Sequence, residues 1–555
     1  MKGKQILAGA LALMMALSSC TKENGTEGSG GDSGENVVEG LSTYASISIS
    51  QSARPGTYAT NDGTAAEGAI KKATVVVVSD GIIRNRINIT TTATQAFQTT
   101  TGKKYLYALV NVPDLFLEEI KEGETWAEVW DTLQELQTYE AFEMLIGGTN
   151  PDAATATGFW MSNFYGVEGV QPVVVVEATK EQVNSTSADK KNNFTINVGR
   201  MVAKVSPTIA TLEAACKGTL ENQQYRMRQY PKRFYHFQQY QADAAAPGGF
   251  LDQVITPYYS AEWVKNDDQD QQNKEWDPKT NDKVTTARDY FEDVKNTGTA
   301  DNPVYEPDFK TLTLDANGDE SKAASTYVTE NTTEVGAKKK IRNKGTYLSI
   351  KATFDLTNST GKVFLTAEGK EDPNGNTYTK GTTFYRIAHY TASGEIDFYC
   401  GGLYLAETLP TKVVGKGSWN WGDPIEFYSK EEADNDATGT IIEDEAKKAE
   451  EATGMVWLQD GEIGTKAGYR FVKYENAVCY YGMWLFDKAM GDNLSKKYSV
   501  LRNNLYAVNI TSVKGLGDAN EDDVVNKPDD VESDSYMVAT IEVQPWNVVD
   551  VEGGI

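Results

Sequence analysis

Side chains that commonly carry out catalysis or bind metal ions are scarce in this chain. It contains two histidines, His236 and His389, and four cysteines among 555 residues. Histidine-based metal sites and histidine-dependent triads need several such groups close together. Both histidines are therefore predicted to be ordinary structural side chains. Cys20 lies in the leader, which leaves an odd number in the body and predicts no disulfide framework; the others are Cys216, Cys400 and Cys479.

Other residue combinations give no firm catalytic or ion-binding site. The chain lacks a Gly-x-x-x-x-Gly-Lys-Ser/Thr loop, a Gly-x-Ser-x-Gly elbow and a His-Glu-x-x-His motif. A paired-carboxylate glycosidase stays open, but nothing selects one pair among the 79 acidic residues. Residues 315–319 place oxygen ligands at alternate positions, yet Thr326 stands where a calcium loop needs glutamate, so a turn is favoured, as it is for residues 372–376. The sequence predicts no enzyme, no cofactor and no metal.

Four tyrosines recur every five residues around His236. They could form a sugar-stacking platform, or they could anchor strands and loops, which is the favoured interpretation. The four are Tyr225, Tyr230, Tyr235 and Tyr240.

The N-terminus has the three parts of a lipoprotein signal peptide. Lys2 and Lys4 precede a short apolar run, residues 6–17, which is too short to span a bilayer, and Leu-Ser-Ser leads into Cys20. Small residues before a cysteine are accepted by lipoprotein signal peptidase, so the Cys20 thiol is predicted to be acylated. Residues 21–39 have the Gly/Ser/Glu composition of a flexible tether. The acidic Glu23 resembles the export tag of Bacteroidetes surface lipoproteins.

Composition and periodicity predict an all-β fold. Hydrophobic content is 40%, enough for buried cores, while a formal charge of −26 makes nucleic acid an unsuitable partner. Helices are predicted at residues 126–146 and 432–452, and residues 223–343 are predicted to form polar decorated loops. Short runs rich in Val, Ile, Thr and Tyr predict strands at residues 73–78, 105–110, 173–178, 194–205, 346–356, 384–389, 478–485 and 505–513.

The two ends of the body have related strands. In the first, Leu41, Ala45, Ile47 and Ile49 share one face, while Tyr44 and three serines lie opposite. The last follows an acidic stretch, residues 517–535, that is predicted to be an extended linker, and is therefore expected to be an isolated strand that needs a sheet to join. Its apolar face carries Met537, Ala539, Ile541 and Val543, and beyond Pro545 the anchor continues with Trp546 and Val548.

The first strand runs into a Gly/Ala/Thr-rich stretch that should be open to proteases, and Arg54 lies at its start. A cut there would free the strand and open an apolar groove. The last strand of a neighbouring molecule could then fill that groove by strand addition.

Five passages make the chain similar to a known family. They are residues 17–22 of the leader, 44–54 with Ser-Ala-Arg, 198–204 (Val-Gly-Arg-Met-Val-Ala-Lys), 502–517 with Arg-Asn-Asn-Leu-Tyr, and 539–549 (Ala-Thr-Ile-Glu-Val-Gln-Pro-Trp-Asn-Val-Val). On these residues the chain resembles the Bacteroidales type V fimbrial subunits, and in particular the major subunit of the short fimbria. The resemblance covers the whole length, more loosely at residues 220–340.

The resemblance implies a complete architecture and assembly route. It implies two transthyretin-like β-sandwiches with a few helical insertions, outer-membrane lipoprotein export, removal of the N-terminal segment by an arginine-specific protease after Arg54, and C-terminal strand donation in a surface fimbrium. The implied partners are copies of itself, accessory and anchor subunits, and a host or bacterial receptor. The predicted segments are residues 1–20 (signal peptide), 21–54 (removed), 55–195 (first sandwich), 196–516 (second sandwich), 517–535 (linker) and 536–555 (donor strand).

Two questions stay open at this stage. Because Pro55 follows Arg54 and many trypsin-like proteases cut poorly before proline, Arg84 and Arg86 are alternative cleavage sites. The leading function, a polymerising shaft subunit, has as alternatives a tip or accessory adhesin and a glycan-binding surface lipoprotein.

Overall fold

The structure is a computed structural model. It describes residues 37–51, 66–90, 96–130, 133–135, 139–148, 157–163, 170–187, 190–214, 219–240, 254–256, 290–299, 302, 304–312, 325–332, 345–355, 363–365, 381–391, 394–395, 404–406, 412–414, 426–427, 440–441, 455–459, 468–487, 497–513, 516–524 and 537–545.

The N-terminal part is built around one sheet whose strand order is β3-β2-β5-β7-β9-β1-β4, with β8 paired to β5. Its elements are β1 (Ser42–Gln51), β2 (Ala73–Ser79), β3 (Ile82–Ile89), β4 (Phe97–Thr100), β5 (Gly102–Val110), α1 (Trp126–Trp130), β6 (Leu133–Glu135), α2 (Tyr139–Leu145), β7 (Met161–Asn163), β8 (Val173–Val175), α3 (Lys180–Val183) and β9 (Asn193–Arg200).

The C-terminal part forms several sheets, with orders β19-β10-β31-β32, β15-β11-β20-β30, β21-β24-β22-β29-β28 and β26-β25-β27. Its strands are β10 (Val202–Ala214), β11 (Thr219–Pro231), β12 (Arg233–Tyr235), β13 (Gln239–Tyr240), β14 (Val254–Ile255), β15 (Tyr290–Glu292), β16 (Val294–Asn296), β17 (Tyr305–Pro307), β18 (Lys310–Thr311), β19 (Thr326–Thr329), β20 (Tyr347–Asp355), β21 (Val363–Leu365), β22 (Phe384–Thr391), β23 (Gly394–Glu395), β24 (Tyr404–Ala406), β25 (Lys412–Val414), β26 (Glu426–Phe427), β27 (Thr440–Ile441), β28 (Met455–Gln459), β29 (Gly468–Tyr474), β30 (Val478–Trp484), β31 (Asn504–Val513) and β32 (Met537–Pro545).

The prediction of an all-β fold is confirmed, and its physical basis is visible strand by strand. β2 contains four consecutive valines, Val75 to Val78, and is buried along its whole length, as expected for a strand covered on both faces. β1 alternates and buries one face more deeply than the other. The division into two transthyretin-like sandwiches at 195/196 stays a prediction; that position lies inside β9, and the chain passes to the next sheet at Met201.

The two parts share one hydrophobic core. Aromatic rings of the N-terminal part pack directly on rings of the C-terminal part, with centroids 5.5 Å apart for Tyr107 and Phe237 and 4.9 Å apart for Phe159 and Tyr327. Buried aliphatic side chains of both parts belong to the same cluster. The two parts are therefore packed against each other by apolar side chains as well as joined by the chain.

Three expectations about secondary structure were wrong. Residues 126–146 form α1, β6 and α2 instead of one helix, because β6 pairs with β12. Residues 194–205 form two strands, since the chain changes sheets between β9 and β10. Residues 219–231, which include the start of the predicted polar loops, form the long strand β11, whose Tyr225 and Met227 are buried. Of the predicted helix at 432–452, residues 440–441 form β27 and the rest lies outside the described residues.

Candidate assembly site

The first strand, β1, is an internal strand with partners along both edges. Residues 42–45 pair antiparallel with β4, and residues 46–51 pair parallel with β9. Ala45, Ile47 and Ile49 are buried, and Ile47 has only 1% of its surface exposed. The predicted apolar face is therefore the face that enters the core. The sheet would lose pairing on both sides if this strand were removed.

Leu41 was wrongly assigned to that face. It lies before the strand begins and is 39% exposed, since Gly40 turns the chain with a φ of 85°. Its N–H donates to the Thr101 Oγ1 at 3.0 Å. The inward position belongs instead to Thr43, which is buried and donates its hydroxyl to the Val176 carbonyl at 2.9 Å. The two-residue period, counted back from Ala45, could have identified Thr43.

Polar contacts hold β1 along its other face. The Ser48 and Thr195 hydroxyls lie 2.9 Å apart, and Ser46 hydrogen-bonds the Asn193 amide oxygen. Asn192 donates its Nδ2 to the Tyr44 carbonyl at 2.8 Å. These bonds explain why serines alternate with isoleucines: one face fills the core and the other meets polar groups of β9.

The end of β1 leads into residues 52–65, which lie outside the described residues together with Arg54. The alternative cleavage positions can be placed. Arg84 and Arg86 lie inside β3, where Val76 of β2 pairs with Arg86, and the Arg86 guanidinium donates to the Ile120 carbonyl at 3.0 Å. Arg84 lies at the bulge of this pair, between the paired residues Ile83 and Asn85. Since a protease needs an unpaired extended segment, a position inside β3 is a poorer substrate than an exposed loop.

Residues 66–68, the next described residues along the chain, form a turn that is bound to other parts of the molecule through Glu67. Glu67 is buried, its carboxylate lies 2.9 Å from the Lys204 Nζ and accepts from the Tyr327 hydroxyl at 2.5 Å. Its backbone carbonyl accepts from the Arg200 Nε at 2.9 Å. Burial lowers the pKa of Arg200 to about 10, against the opposing influence of the Glu67 and Tyr327 charges. The turn next to Glu67 also holds the end of β1, through a bond from Gln51 to the Gly68 carbonyl.

Two of the passages that carry the family resemblance meet at the crossing between sheets. Arg200 donates its backbone N–H to the Asn503 Oδ1 at 3.1 Å, and the Asn503 N–H donates to the Val202 carbonyl at 2.8 Å. Next to them, Arg502 pairs with the buried Glu330 at 3.1 Å. These residues therefore fix the position of β31 relative to β9 and β10.

The last strand, β32, pairs with its own chain. It runs antiparallel to β31, with Ile541 opposite Val508 and Ala539 opposite Ile510. Ile541 is 5% exposed, and Val508 and Ile510 are buried, so Ile541 of the predicted apolar face packs in the core. The expectation of an isolated strand was wrong. Met537 and Val543 belong to the same strand, whereas Trp546 and Val548 lie outside the described residues.

β32 ends the sheet order β19-β10-β31-β32, so in the described part of the chain it has one strand partner. The first and last strands thus differ in kind: β1 is paired along two edges and β32 along one.

The stretch before β32 was also expected to be free, and its first part is not. Leu516 and Val524 are buried, and Glu521–Val524 forms a 3-10 turn packed on the sheet that contains β30. The extended-linker prediction for residues 517–524 was wrong, because specific basic partners on β11 meet its acidic side chains.

The remaining candidates contribute to the core rather than to a site. Tyr225 and Tyr230 are buried, which removes them from any sugar platform. His236 is buried, and burial together with the Arg502 charge lowers its pKa to about 4. Cys479 is a buried free thiol. The residues at 315–319 and 372–376, with Cys20, Cys216 and Cys400, lie outside the described residues.

Among the described residues, no group of three or more His, Cys, Asp or Glu side chains is arranged to hold a metal ion. No helix in the same residues is both long and apolar enough to cross a membrane.

Residues 472–552 match the model of a family described as major fimbrial subunit protein type IV, fimbrillin, C-terminal. The match contains β30, β31 and β32. The C-terminal region of this chain therefore matches a family of fimbrial subunits, which are structural proteins rather than enzymes. The family description names type IV, whereas the sequence resemblance was to type V, and the exact class stays a prediction.

Solved structures and curated proteins were also compared. The chain is similar to a fimbrilin (FimA) of Porphyromonas gingivalis, with 11% identity, a TM-score of 0.38 and coverage of 92% of this chain and 98% of that one. It is also similar to the tip fimbrial protein Mfa3 of the same organism, with 10% identity, a TM-score of 0.31 and coverage of 91% and 99%. No curated protein matches the sequence.

Proposed function

We propose that this subunit builds the shaft of an adhesive fimbria by exchanging strands between copies. The precursor carries β1 as a temporary occupant of its own sheet. Cleavage after Arg54 releases the segment that includes β1, and the last strand of a neighbouring copy takes its place. The filament that results is a homopolymer, joined to accessory and anchor subunits at its ends.

One observation supports this proposal above the others: β1 is buried between β9 and β4 and leads directly into the segment that contains Arg54. Its removal would expose the seat of three apolar side chains and leave two strand edges without a partner. Apolar burial of an isoleucine is worth about 1.5–3 kcal/mol, and unpaired edges favour strand addition. The vacated position would therefore bind a suitable strand strongly.

The last strand has the chemistry that this position needs. Ala539, Ile541 and Val543 repeat the order of small and branched side chains in Ala45, Ile47 and Ile49. The seat of β1 offers β4 to the first half of a strand and β9 to the second half, so a donated strand finds about as much backbone pairing there as β32 has with β31. Exchange therefore keeps the backbone pairing of the last strand and restores the connection between β4 and β9.

The leader supplies the route to the surface. The basic, apolar and cysteine parts of residues 1–20 support export as a lipoprotein acylated at Cys20, with the precursor held in the outer membrane. Proteolysis would then detach the subunit from its lipid. The receptor that the fimbria binds is a protein or glycan on a host or bacterial surface.

Filament assembly tests the proposal directly. Deleting residues 537–555 should abolish filaments in electron micrographs while the subunit remains exported. Normal filaments from this variant would overturn donation by the last strand.

Processing is tested with a matched pair of arginine variants. Arg54→Ala should retain the N-terminal segment in mass spectra of the surface protein, whereas Arg84→Ala, on the paired strand β3, should be processed normally. A mature protein that keeps an acylated Cys20 would contradict the route and favour an anchor or uptake role.

A further inference from the structure

The C-terminal tail of this protein is bound to its own subunit before the last strand begins. The bound stretch is residues 516–524, called the clamp segment below. The Gly517 carbonyl accepts from the Tyr474 hydroxyl at 2.8 Å. Asp518 forms a two-way backbone bridge with Tyr480 of β30, with N···O distances of 2.7 and 2.8 Å. The chain leaving β31 is therefore attached again at once.

Two arginines on β11 bind the acidic side chains of the clamp segment. Arg226 donates to both carboxylate oxygens of Glu521, at 2.7 and 2.5 Å. Arg228 donates to the Asp522 carboxylate at 3.1 Å. Glu292 of β15 approaches both guanidinium groups, at 3.2 and 2.8 Å. The two arginines are two residues apart in the strand and so lie on one face.

Both arginine side chains are largely buried, with Glu292 and the clamp segment as their carboxylate partners. The Arg226 side chain is 3% exposed and that of Arg228 is 15% exposed. Burial opposes their charged forms, but the hydrogen bond and charge of Glu521, with the charge of Glu292, raise the pKa of Arg226 overall. A buried guanidinium that loses a bidentate carboxylate partner is costly, so the clamp segment and β11 hold each other in place.

An apolar contact closes the far end of the clamp segment. Val524 is buried in a small cluster with Tyr347, Trp484 and Tyr498. It lies over Gly482 of β30, where an added Cβ would collide with the Val524 Cγ1. Gly482 is thus the residue that leaves space for Val524.

We propose that residues 516–524 are a fixed base for the C-terminal arm, held by Arg226, Arg228 and the space at Gly482, and that only the chain beyond Val524 leaves the subunit when strands are exchanged. This inference rests on the proposed function for the exchange itself. Residues 525–536, about a dozen residues, then form the whole tether. Fully extended at about 3.3–3.6 Å per residue, they reach roughly 40 Å, which sets the longest distance between a subunit and the groove it fills.

Backbone hydrogen exchange on the full chain tests the clamp in the monomer. Glu521→Gln with Asp522→Asn removes both carboxylate charges at nearly constant shape, and Gly482→Ala displaces Val524 without touching a charge. Each should speed exchange in residues 516–524 by about tenfold or more. The control Asp529→Asn with Asp530→Asn makes the same change of net charge beyond Val524 and should leave that exchange unchanged. If residues 516–524 exchange their backbone hydrogens at the wild-type rate in both clamp variants, the proposal is wrong.

Backbone hydrogen exchange on filaments of the wild-type protein tests whether the clamp segment stays bound to its own subunit during strand exchange. Residues 516–524 should keep their monomer protection while β32 moves to the neighbour. Loss of that protection on assembly would show that the arm begins at β31, and the proposal would be wrong. If no filaments form, the proposed function fails, but the monomer experiment still decides whether the clamp exists.

Discussion

β1 and β32 present the same order of small and branched side chains, but they are held in different ways. β1 has β9 and β4 along its two edges, and its polar face is bonded to β9. β32 has β31 along one edge. The first half of β1 pairs with β4 and its second half with β9, so loss of β1 would break the sheet between these two strands, whereas loss of β32 would remove only the last strand of its sheet. Strands of similar sequence pattern therefore occupy different positions in their sheets.

Each strand also has a buried carboxylate near it. Glu67, just beyond residues 52–65, pairs with Lys204, and Glu330 pairs with Arg502, which precedes β31. Both pairs connect segments that are distant in sequence. Arg200 links the two pairs, because it donates to the Glu67 carbonyl and to the Asn503 side chain, next to Arg502.

Removing each strand should give the largest contrast. A chain starting at residue 52 should lose at least about 3–6 kcal/mol of unfolding free energy from Ile47 and Ile49 alone, and amides of β4 and β9 should exchange faster. A chain ending at residue 536 should lose less, with faster exchange confined to β31. Urea unfolding with hydrogen exchange measures both. An equal loss in the two truncations would break the distinction between them.

The buried carboxylates come next. Glu67→Gln leaves the Lys204 ammonium buried without its counter-charge, and Glu330→Gln does the same to Arg502. Uncompensated buried charges cost about 3–5 kcal/mol, so both variants should lose stability to a similar degree. Amide hydrogen exchange should become faster mainly around residues 66–72 in Glu67→Gln and mainly around residues 499–505 in Glu330→Gln. Because Arg200 links the two regions, each variant should also raise amide exchange in the other region, to a smaller extent; equal rates in the two regions would contradict this order.

Single side chains offer a finer comparison. Ile47→Ala should cost about 2–5 kcal/mol, the range for large-to-small changes in a core. Ile541→Ala should cost clearly less, because an edge strand can shift to close the space. Thermal and urea unfolding measure the difference, with Thr195→Ser on the exposed side of β9 as a control that should be nearly neutral. A larger loss of unfolding free energy for Ile541→Ala than for Ile47→Ala would contradict the assignment of β32 as the edge strand and β1 as the interior strand.

The smallest effect is a pH dependence near β31. The backbone carbonyl of His236 accepts from Arg502 at 3.2 Å, and the folded protein holds the pKa of this histidine at about 4, below its ordinary 6.5. Between these values the unfolded chain binds a proton that the native state does not, so stability falls as pH is lowered. The loss attributable to His236 should be about 2 kcal/mol from pH 7 to 5. His236→Asn should flatten the pH profile by that amount, and an unchanged profile would contradict the burial of a neutral imidazole.

The two-residue period of apolar side chains predicted strands correctly where one face of the strand is apolar. The alternation in Ala45, Ile47 and Ile49, and the Val run of β2, depend on neighbouring residues alone. The local sequence is therefore enough to predict these two strands. It failed where a partner distant in sequence decides: β6 forms a strand because β12 lies beside it, within a stretch that has helical spacing. The stretch around β11 is polar in overall composition and was therefore predicted to form loops, although its alternate residues, including Tyr225 and Met227, are apolar.

By itself the sequence determined the all-β class, the buried face of the first strand and the scarcity of catalytic groups, because these follow from composition and local period. Tertiary structure alone decided that β1 has two paired edges, that β32 pairs with β31, and that the acidic tail is bound by Arg226 and Arg228. Strand pairing and charge pairing join residues hundreds of positions apart, such as Arg226 and Glu521. Their energies depend on distance in space, which no local pattern contains.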